Sequence, residues 1–206
     1  MPTPRHPTPC SPLPIATGLV LTLGVLTTPM ASAEPHTYEI DPDHFSIGFL
    51  TEHIGYADTL GMFLEGRGEF VYDEQTQRLH SGRVEITADS AFTNHDDRDD
   101  HLRSDDFLDA GRYPTIVFEA TGLETHSDRQ GTLEGDLTLL GETHPVTLEV
   151  TLNKAATYPF GHEQHTLGLS ARTTLQRSDW GMTYGVDNGL VGDEVELILE
   201  LEAIRQ

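Results

Sequence analysis

Histidine and carboxylate side chains are the residues of this chain best suited to chemistry, and many of them lie in one short stretch. His95 and His101 flank a run of aspartates whose hard oxygens could hold a divalent cation. The order lacks the glycine and spaced terminal glutamate of an EF-hand loop, and a histidine spacing of six differs from the i, i+4 pair of a helical zinc site. A solvated acidic helix explains the stretch more simply. Its acids are Asp96, Asp97, Asp99 and Asp100.

Other catalytic patterns are weak or missing in the sequence. His44 and His53 lie nine residues apart around the first long strand, where hydrogen bonding at strand ends is the simpler role. The chain has no Gly-x-Ser-x-Gly elbow and no glycine-rich phosphate loop. Glycoside hydrolysis by a pair of carboxylates stays an open alternative, because 34 acidic residues always offer some pair. We therefore predict no catalytic residue, no metal site and no cofactor.

The first 33 residues resemble an export signal. Arg5 precedes an almost uncharged apolar run at residues 15–28, and residues 31–33 (ASA) form a small-residue cleavage pattern. We predict a signal peptide at residues 1–33 and one domain at residues 34–206, with an uncleaved anchor as the alternative. The only cysteine, Cys10, is removed with the leader. The mature chain then has no disulfide and no thiol chemistry.

The charge is strongly acidic. Removing Arg5 from the 12 lysines and arginines leaves 11 against 34 acids, so the formal charge changes from −22 to −23 in the mature chain. Such a surface repels nucleic acid and anionic headgroups. Adaptation to a saline exterior, where salt screens the self-repulsion, explains it better than cation binding does.

Alternation of apolar with polar or small residues predicts strands through most of the mature chain, about eight in number. Short turn signals separate them, and no linker suggests a second domain. Residues 94–108 break the alternation, so we predict a short helix between two strands, capped by Asn94 or Asp96. The clearest alternating segments are residues 45–49, 84–86, 116–119, 137–139, 146–150, 167–169 and 195–201.

Eight antiparallel strands with one apolar face can bury that face by closing into a barrel. A barrel of this size either fills with its own side chains or holds one elongated ligand. Glycines within the strands favour the second alternative if they leave room inside, although each could equally relieve curvature. They are Gly48, Gly61, Gly66, Gly68, Gly135 and Gly168.

Five segments, in order and spacing, resemble the YceI-like family of exported polyisoprenoid-binding proteins. The resemblance runs from about Tyr38 to Leu201. Trp180 stands where phenylalanine is more usual, and the insert around Asn94 is more acidic than typical. The segments are residues 43–49 (DHFSIGF) with His53 and residues 61–66, residues 98–108 (RDDHLRSDDFL) with 113–118 (YPTIVF), residues 135–146 (GDLTLLGETHPV), residues 177–182 (RSDWGM), and residues 191–195 (VGDEV).

The resemblance implies an all-β, eight-stranded antiparallel lipocalin-like barrel whose apolar tunnel holds a polyisoprenoid, either an isoprenoid quinone or a prenyl phosphate. It implies a periplasmic or secreted protein that carries or stores lipid or protects against stress, and not an enzyme. The partners implied are the lipid and at most a transient membrane contact. Some relatives form homodimers, but the sequence fixes no interface.

We expect the helix at residues 96–108 and the segment around Trp180 to frame the tunnel mouth. Arg98 and Arg177 are candidates for the lipid head group, and pairing with Asp99 or Asp179 is their structural alternative. Two other functions stay open: a secreted hydrolase or isomerase for a small apolar substrate, and a ligand-free structural stress protein. The residues expected to line the tunnel, or else to pack a core, are Phe45, Ile47, Phe49, Phe63, Ile86, Leu102, Phe107, Phe118, Leu137, Leu139, Leu167, Leu169, Trp180, Met182, Leu197 and Leu199.

Overall fold

A computed structural model describes residues 1–3 and 34–206. The predicted signal peptide, its cleavage site and Cys10 lie outside the described residues, so the boundary at residue 33 stays a prediction. All described strands lie in one compact unit, Ala33–Gln206. No described helix is long and apolar enough to cross a membrane.

The described chain consists of strands and one short α-helix, α1. The strands run antiparallel, and two short 3₁₀ turns interrupt them at Ala88–Ser90 and Arg177–Trp180. The elements in order are β1 (His36–His53), β2 (Ala57–Phe63), β3 (Gly66–Asp73), β4 (Arg78–Thr87), β5 (Ala91–Phe92), α1 (Asp96–Arg103), β6 (Thr115–Thr125), β7 (Gln130–Leu139), β8 (Glu142–Thr157), β9 (His165–Gln176) and β10 (Val191–Arg205).

The sheet closes on itself because β1 pairs with both β3 and β10. The 18 residues of β1 pair first with β3 and then with β2, so β2 and β3 form two halves of one wall strand. The wall breaks between them at Leu64, whose backbone N–H donates to the carbonyl of Ser90 at 3.1 Å. Counting β2 and β3 as one and β5 as an appendage, the barrel has eight strands. The predicted fold is confirmed.

The two ends of the barrel differ in how the strands are connected. At one end, which we call the helix end, long segments cross at residues 93–114 and 177–190. At the opposite end, the hairpin end, short turns at residues 74–77 and 126–129 join the strands. Every alternating segment named from the sequence lies within a strand, with most of its apolar positions turned inward; Val117 and Ile198 face outward.

Inward glycines do not leave empty space. A Cβ atom built on Gly61 would lie 2.1 Å from the ring of Phe49, and one on Gly135 would lie 2.2 Å from the ring of Phe118. Each ring therefore lies flat on the wall at a position without a side chain, so the expectation that these glycines open room was wrong. Gly66 and Gly68 are likewise covered by inward side chains, whereas Gly48 and Gly168 have no atom closer than 3.7 Å.

Helix α1 is shorter than predicted and is capped by a different residue. It ends at Arg103, and the ring of His95, neither Asn94 nor Asp96, accepts from the backbone N–H of Arg98 at 3.3 Å. Asn94 adopts a left-handed conformation with φ of 62° instead. Ser104 then ends the helix by donating its hydroxyl to the carbonyl of His101 at 2.7 Å. Residues 105–108 consequently form a turn that carries Phe107 and Leu108 into the barrel.

Candidate functional site: an apolar cavity at the helix end

The barrel contains a cavity of about 420 Å³ at the helix end. Its walls come from inward positions of β1, β7 and β10, and its rim comes from α1 and the segment before β10. The volume lies in the range of known small-molecule sites. We call this space the helix-end cavity.

Most of the predicted tunnel residues line this cavity, although their role in binding stays a prediction. The exceptions are Phe118, Leu167 and Leu169, which line a second space, and Phe45, which lines neither. The predicted residues around the helix-end cavity are Ile47, Phe49, Phe63, Ile86, Leu102, Phe107, Leu137, Leu139, Trp180, Met182, Leu197 and Leu199.

The second space, which we call the hairpin-end cavity, has a volume of about 170 Å³ and shares no lining residue with the first. Phe118 lies at the division, because it packs against the core cluster at the helix end and also lines the hairpin-end cavity. The interior is therefore divided into two spaces, where the sequence predicted one tunnel.

Aromatic side chains form part of the rim. The ring of His101 meets Phe107 and Tyr184 edge-on, with centroid distances of 4.9 Å to each. Phe107 and Tyr184 are themselves 5.2 Å apart, and the guanidinium of Arg177 lies 5.6 Å from the centre of the Phe107 ring. These side chains join α1 to the segment before β10, as expected for a framed opening.

Arg177 is buried, and its guanidinium joins the segment at residues 177–190 to the first residues of β10. It donates to the backbone carbonyls of Met182 (2.7 Å), Tyr184 (2.7 Å), Val191 (3.0 Å) and Gly192 (2.8 Å). Burial lowers the pKa of Arg177, and the carboxylate of Asp193 partly opposes the shift. Four of the five guanidinium N–H groups are engaged in this way. Arg177 therefore pairs with backbone carbonyls and not with Asp179. Only one N–H of its guanidinium remains to contact a lipid head group.

Arg98 is better placed for a head group. Its side chain is exposed and borders the cavity. It donates to the hydroxyl of Thr93 at 2.6 Å and to the carbonyl of Thr93 at 2.8 Å, and it forms no ion pair with Asp99 among the described residues. Among those residues Nη1 makes no hydrogen bond. Arg98 thus presents directed donors at the rim, and its binding role stays a prediction.

Trp180 closes part of the wall. It is 3% exposed, and its indole N–H donates to the carbonyl of Leu137 at 3.1 Å. The left-handed Gly181 (φ 78°) ends the 3₁₀ turn that holds it. Tryptophan, which is larger than the phenylalanine expected from the family resemblance, therefore fits at this position with its indole N–H hydrogen-bonded.

Several lining residues were missed from the sequence. Leu175 could have been found by extending the alternation of β9, and Val195 already lies in the alternating segment at residues 195–201 but was not chosen as a candidate. Ile54, Tyr184 and Leu190 lie in loops, where no period identifies them. All three are at least 40% exposed, so the opening is bordered by apolar surface.

Ionisable groups of the cavity are confined to its rim. The lining includes Glu52, His53, Arg98, His101 and Arg177, whereas the inward wall positions are aliphatic, aromatic or threonine. The acidic stretch of α1 forms no cluster of three metal-ligating side chains among the described residues. Asp99 is buried and instead accepts hydrogen bonds from the backbone N–H (2.7 Å) and hydroxyl (2.5 Å) of Thr93.

A closed antiparallel barrel with an apolar cavity open at one end defines the lipocalin-like class. The chain matches the YceI-like domain over residues 38–203 and belongs to that family. It is 36% identical to a UPF0312 protein of Pseudomonas paraeruginosa over 188 residues, covering 91% of this chain and 96% of the relative.

Two solved structures share the fold. BcnA of Burkholderia cenocepacia superimposes with a TM-score of 0.71 at 20% identity, covering 79% of this chain and 98% of BcnA. A polyisoprenoid binding domain from Saccharophagus degradans superimposes with a TM-score of 0.59 at 12% identity, covering 82% of this chain and 98% of that domain. These likenesses confirm the architecture.

Proposed function

We propose that this protein binds a polyisoprenoid lipid, an isoprenoid quinone or a prenyl phosphate, with its chain in the helix-end cavity and its head group at the rim. The observation that carries the proposal is the cavity itself: 420 Å³ of space whose inward walls are apolar. An isoprenoid tail has no polar group, so such walls suffice to hold it. The polyisoprenoid-binding domain with the same fold supports the same ligand class.

The energetics suit a carrier or a store. Transfer of a tail from water would gain about 0.8 kcal/mol per methylene. A bilayer is as apolar as the cavity, so most of this gain cancels when the lipid comes from a membrane. Binding then depends on shape and on the head group, and release costs little. The exposed Ile54 and Leu190 at the rim support transient contact with a membrane.

We further infer that the protein acts outside the cytoplasm, in the periplasm or after secretion, in lipid carriage, storage or stress protection. The basic residue, apolar run and cleavage pattern of residues 1–33 support export. We propose binding without catalysis, since below the rim the described inward walls carry no carboxylate or histidine. The cavity volume also disfavours a barrel filled by its own side chains.

Native mass spectrometry of the protein purified from its own host, with organic extraction of the bound material, tests the proposal. We expect a co-purifying polyisoprenoid, and the same spectrum distinguishes monomer from homodimer. Leu197→Trp should obstruct the cavity and markedly reduce retention. Ile198→Trp, one residue along on the outward face of β10, is the matched control and should keep the lipid. An empty wild-type protein that also fails to bind added quinone would refute the proposal.

A further inference from the structure

A cluster of one histidine and two carboxylate side chains lies on the outer wall, toward the hairpin end. Strand β1 leaves its ladder with β10 between Ile40, which pairs with Ala203, and Phe45, which pairs with Leu201. Four residues of β1 therefore oppose the single residue Glu202. This bulge arches over β10 and brings Asp41 and His44 to the Glu202 carboxylate.

The three side chains converge closely. Nδ1 of His44 lies 2.7 Å from Oδ2 of Asp41 and 3.8 Å from Oε2 of Glu202, and the three ligand atoms lie within 4.8 Å of one another. Ligands bonded to zinc at about 2.0–2.2 Å in a tetrahedron are about 3.4 Å apart. Shifts of less than about 1 Å would reach that geometry. The His44 side chain is 51% exposed, which gives an ion access from solvent.

Outer contacts hold these groups in place. The backbone N–H of Asp43 donates to Oδ1 of Asp41 at 3.0 Å, which leaves Oδ2 facing His44. Tyr158 lies beside Glu202, and its ring lies 4.6 Å from that of His162. Support of this kind orients metal ligands and strengthens their binding.

We propose that Asp41, His44 and Glu202 form a binding site for a divalent transition-metal ion of the zinc type. One imidazole with two carboxylates suits zinc-like ions, whereas Ca²⁺ and Mg²⁺ favour oxygen-only sets. Two carboxylates balance the ion's charge, and water completes the coordination. The His101–Asp106 pair, 2.9 Å apart on the rim, has no third ligand in the described part of the chain and is not proposed as such a site.

A bound ion would clamp the β1 bulge to β10 and, through the contact of Glu202 with Tyr158, to the β8–β9 connection. The site lies on the outside of the barrel and is independent of lipid binding. Its consequence is stabilisation of the folded protein by the metal.

Calorimetric titration of the chelator-treated protein with Zn²⁺ tests the site. The buffer should contain about 0.5 M NaCl, because the acidic surface attracts ions diffusely and salt screens that attraction. We expect one Zn²⁺ per chain, a rise in the unfolding midpoint with Zn²⁺, and no saturable binding of Mg²⁺.

Ligand variants decide the assignment. His44→Ala should weaken Zn²⁺ binding at least tenfold and abolish the Zn²⁺-dependent rise in midpoint, while its metal-free midpoint stays near that of the wild type. His126→Ala removes an exposed histidine whose ring nitrogen lies 2.6 Å from the Thr132 hydroxyl, and it should bind Zn²⁺ normally. The proposal fails if Zn²⁺ binding is not saturable, or if His44→Ala and His126→Ala bind it equally.

Discussion

The two ends of the barrel are built from the same eight wall strands, yet they contain different interiors. At the hairpin end Tyr38 is fully buried, stacks on Phe70 with a centroid distance of 5.2 Å, and donates to Glu74 at 2.6 Å. Nε2 of His165 lies 3.0 Å from Oε1 and 3.1 Å from Oε2 of the same carboxylate. Burial, followed by the contact with Glu74, raises the pKa of Tyr38, so this phenol stays protonated. The remaining cavity at this end is about 170 Å³.

At the helix end, the connections leave the wall and turn back over the opening. The segments at residues 93–114 and 177–190 provide the rim, and the cavity below them is about 420 Å³. The comparison shows that strand alternation builds a wall at both ends, whereas the irregular connections determine where space and polar groups are left.

The largest expected effect on stability concerns Arg177 at the helix end. Arg177→Met should lower the free energy of unfolding by about 3–5 kcal/mol, because each buried carbonyl left without a donor costs about 1–3 kcal/mol and water can reach some of them. Chemical denaturation measures the loss. Arg98→Met, at an exposed arginine of the same rim, is the control and should cost about 1 kcal/mol. Equal losses in the two variants would contradict the carbonyl-holding role of Arg177.

An intermediate effect is expected at the division between the cavities. Phe118→Ala should cost about 3 kcal/mol and join the two spaces, so that longer isoprenoid tails are retained relative to shorter ones. Competition between long-tailed and short-tailed quinones measures the preference. Val117→Ala, on the outward face of the same strand, should leave the preference unchanged. If Phe118→Ala retains both tails in the wild-type ratio, Phe118 does not limit chain length.

The smallest expected effect is the pH dependence of folding stability that arises from Asp99 at the helix end. Burial alone would raise the pKa of Asp99, but the hydrogen bonds from Thr93 and the charges of Arg103 and Arg98 lower it. The ionised Asp99 carboxylate thus stabilises the folded protein above the ordinary aspartate pKa of about 3.9. This stabilisation is lost as the pH falls through the lowered pKa of Asp99 in the folded protein. The difference in denaturation midpoint between wild type and Asp99→Asn should shrink below about pH 4.

The exposed neighbour Asp97 provides the control for this pH dependence. Asp97→Asn should differ from the wild type by a small amount that does not change with pH in this way. A constant difference between wild type and Asp99→Asn from pH 6 to pH 2 would show that Asp99 is not the titrating group.

The sequence predicted the parts of the molecule that repeat. Alternation in β1 places Ile47 and Phe49 inside, and the same rule places Leu137, Leu139 and Leu199. An inward position, however, does not reveal which cavity it borders. Phe118 and Leu169 follow the same pattern and line the other space.

Features that depend on distant or irregular segments were not predictable from local patterns. Two of the carbonyls around Arg177, those of Met182 and Tyr184, belong to a loop without periodicity. The use of His95 as a helix cap accompanies the left-handed conformation of Asn94 before it. His44 and Glu202 meet only because the barrel closes β1 against β10. Such contacts follow from tertiary structure and leave no signature in neighbouring residues.

The guanidinium of Arg177 also bears on salt tolerance. A surface ion pair weakens as added salt screens its two charges. Arg177 is buried and is held by carbonyl dipoles, which carry no net charge and are sheltered from mobile ions. The hold of Arg177 on the opening of the barrel should therefore depend little on the salt concentration.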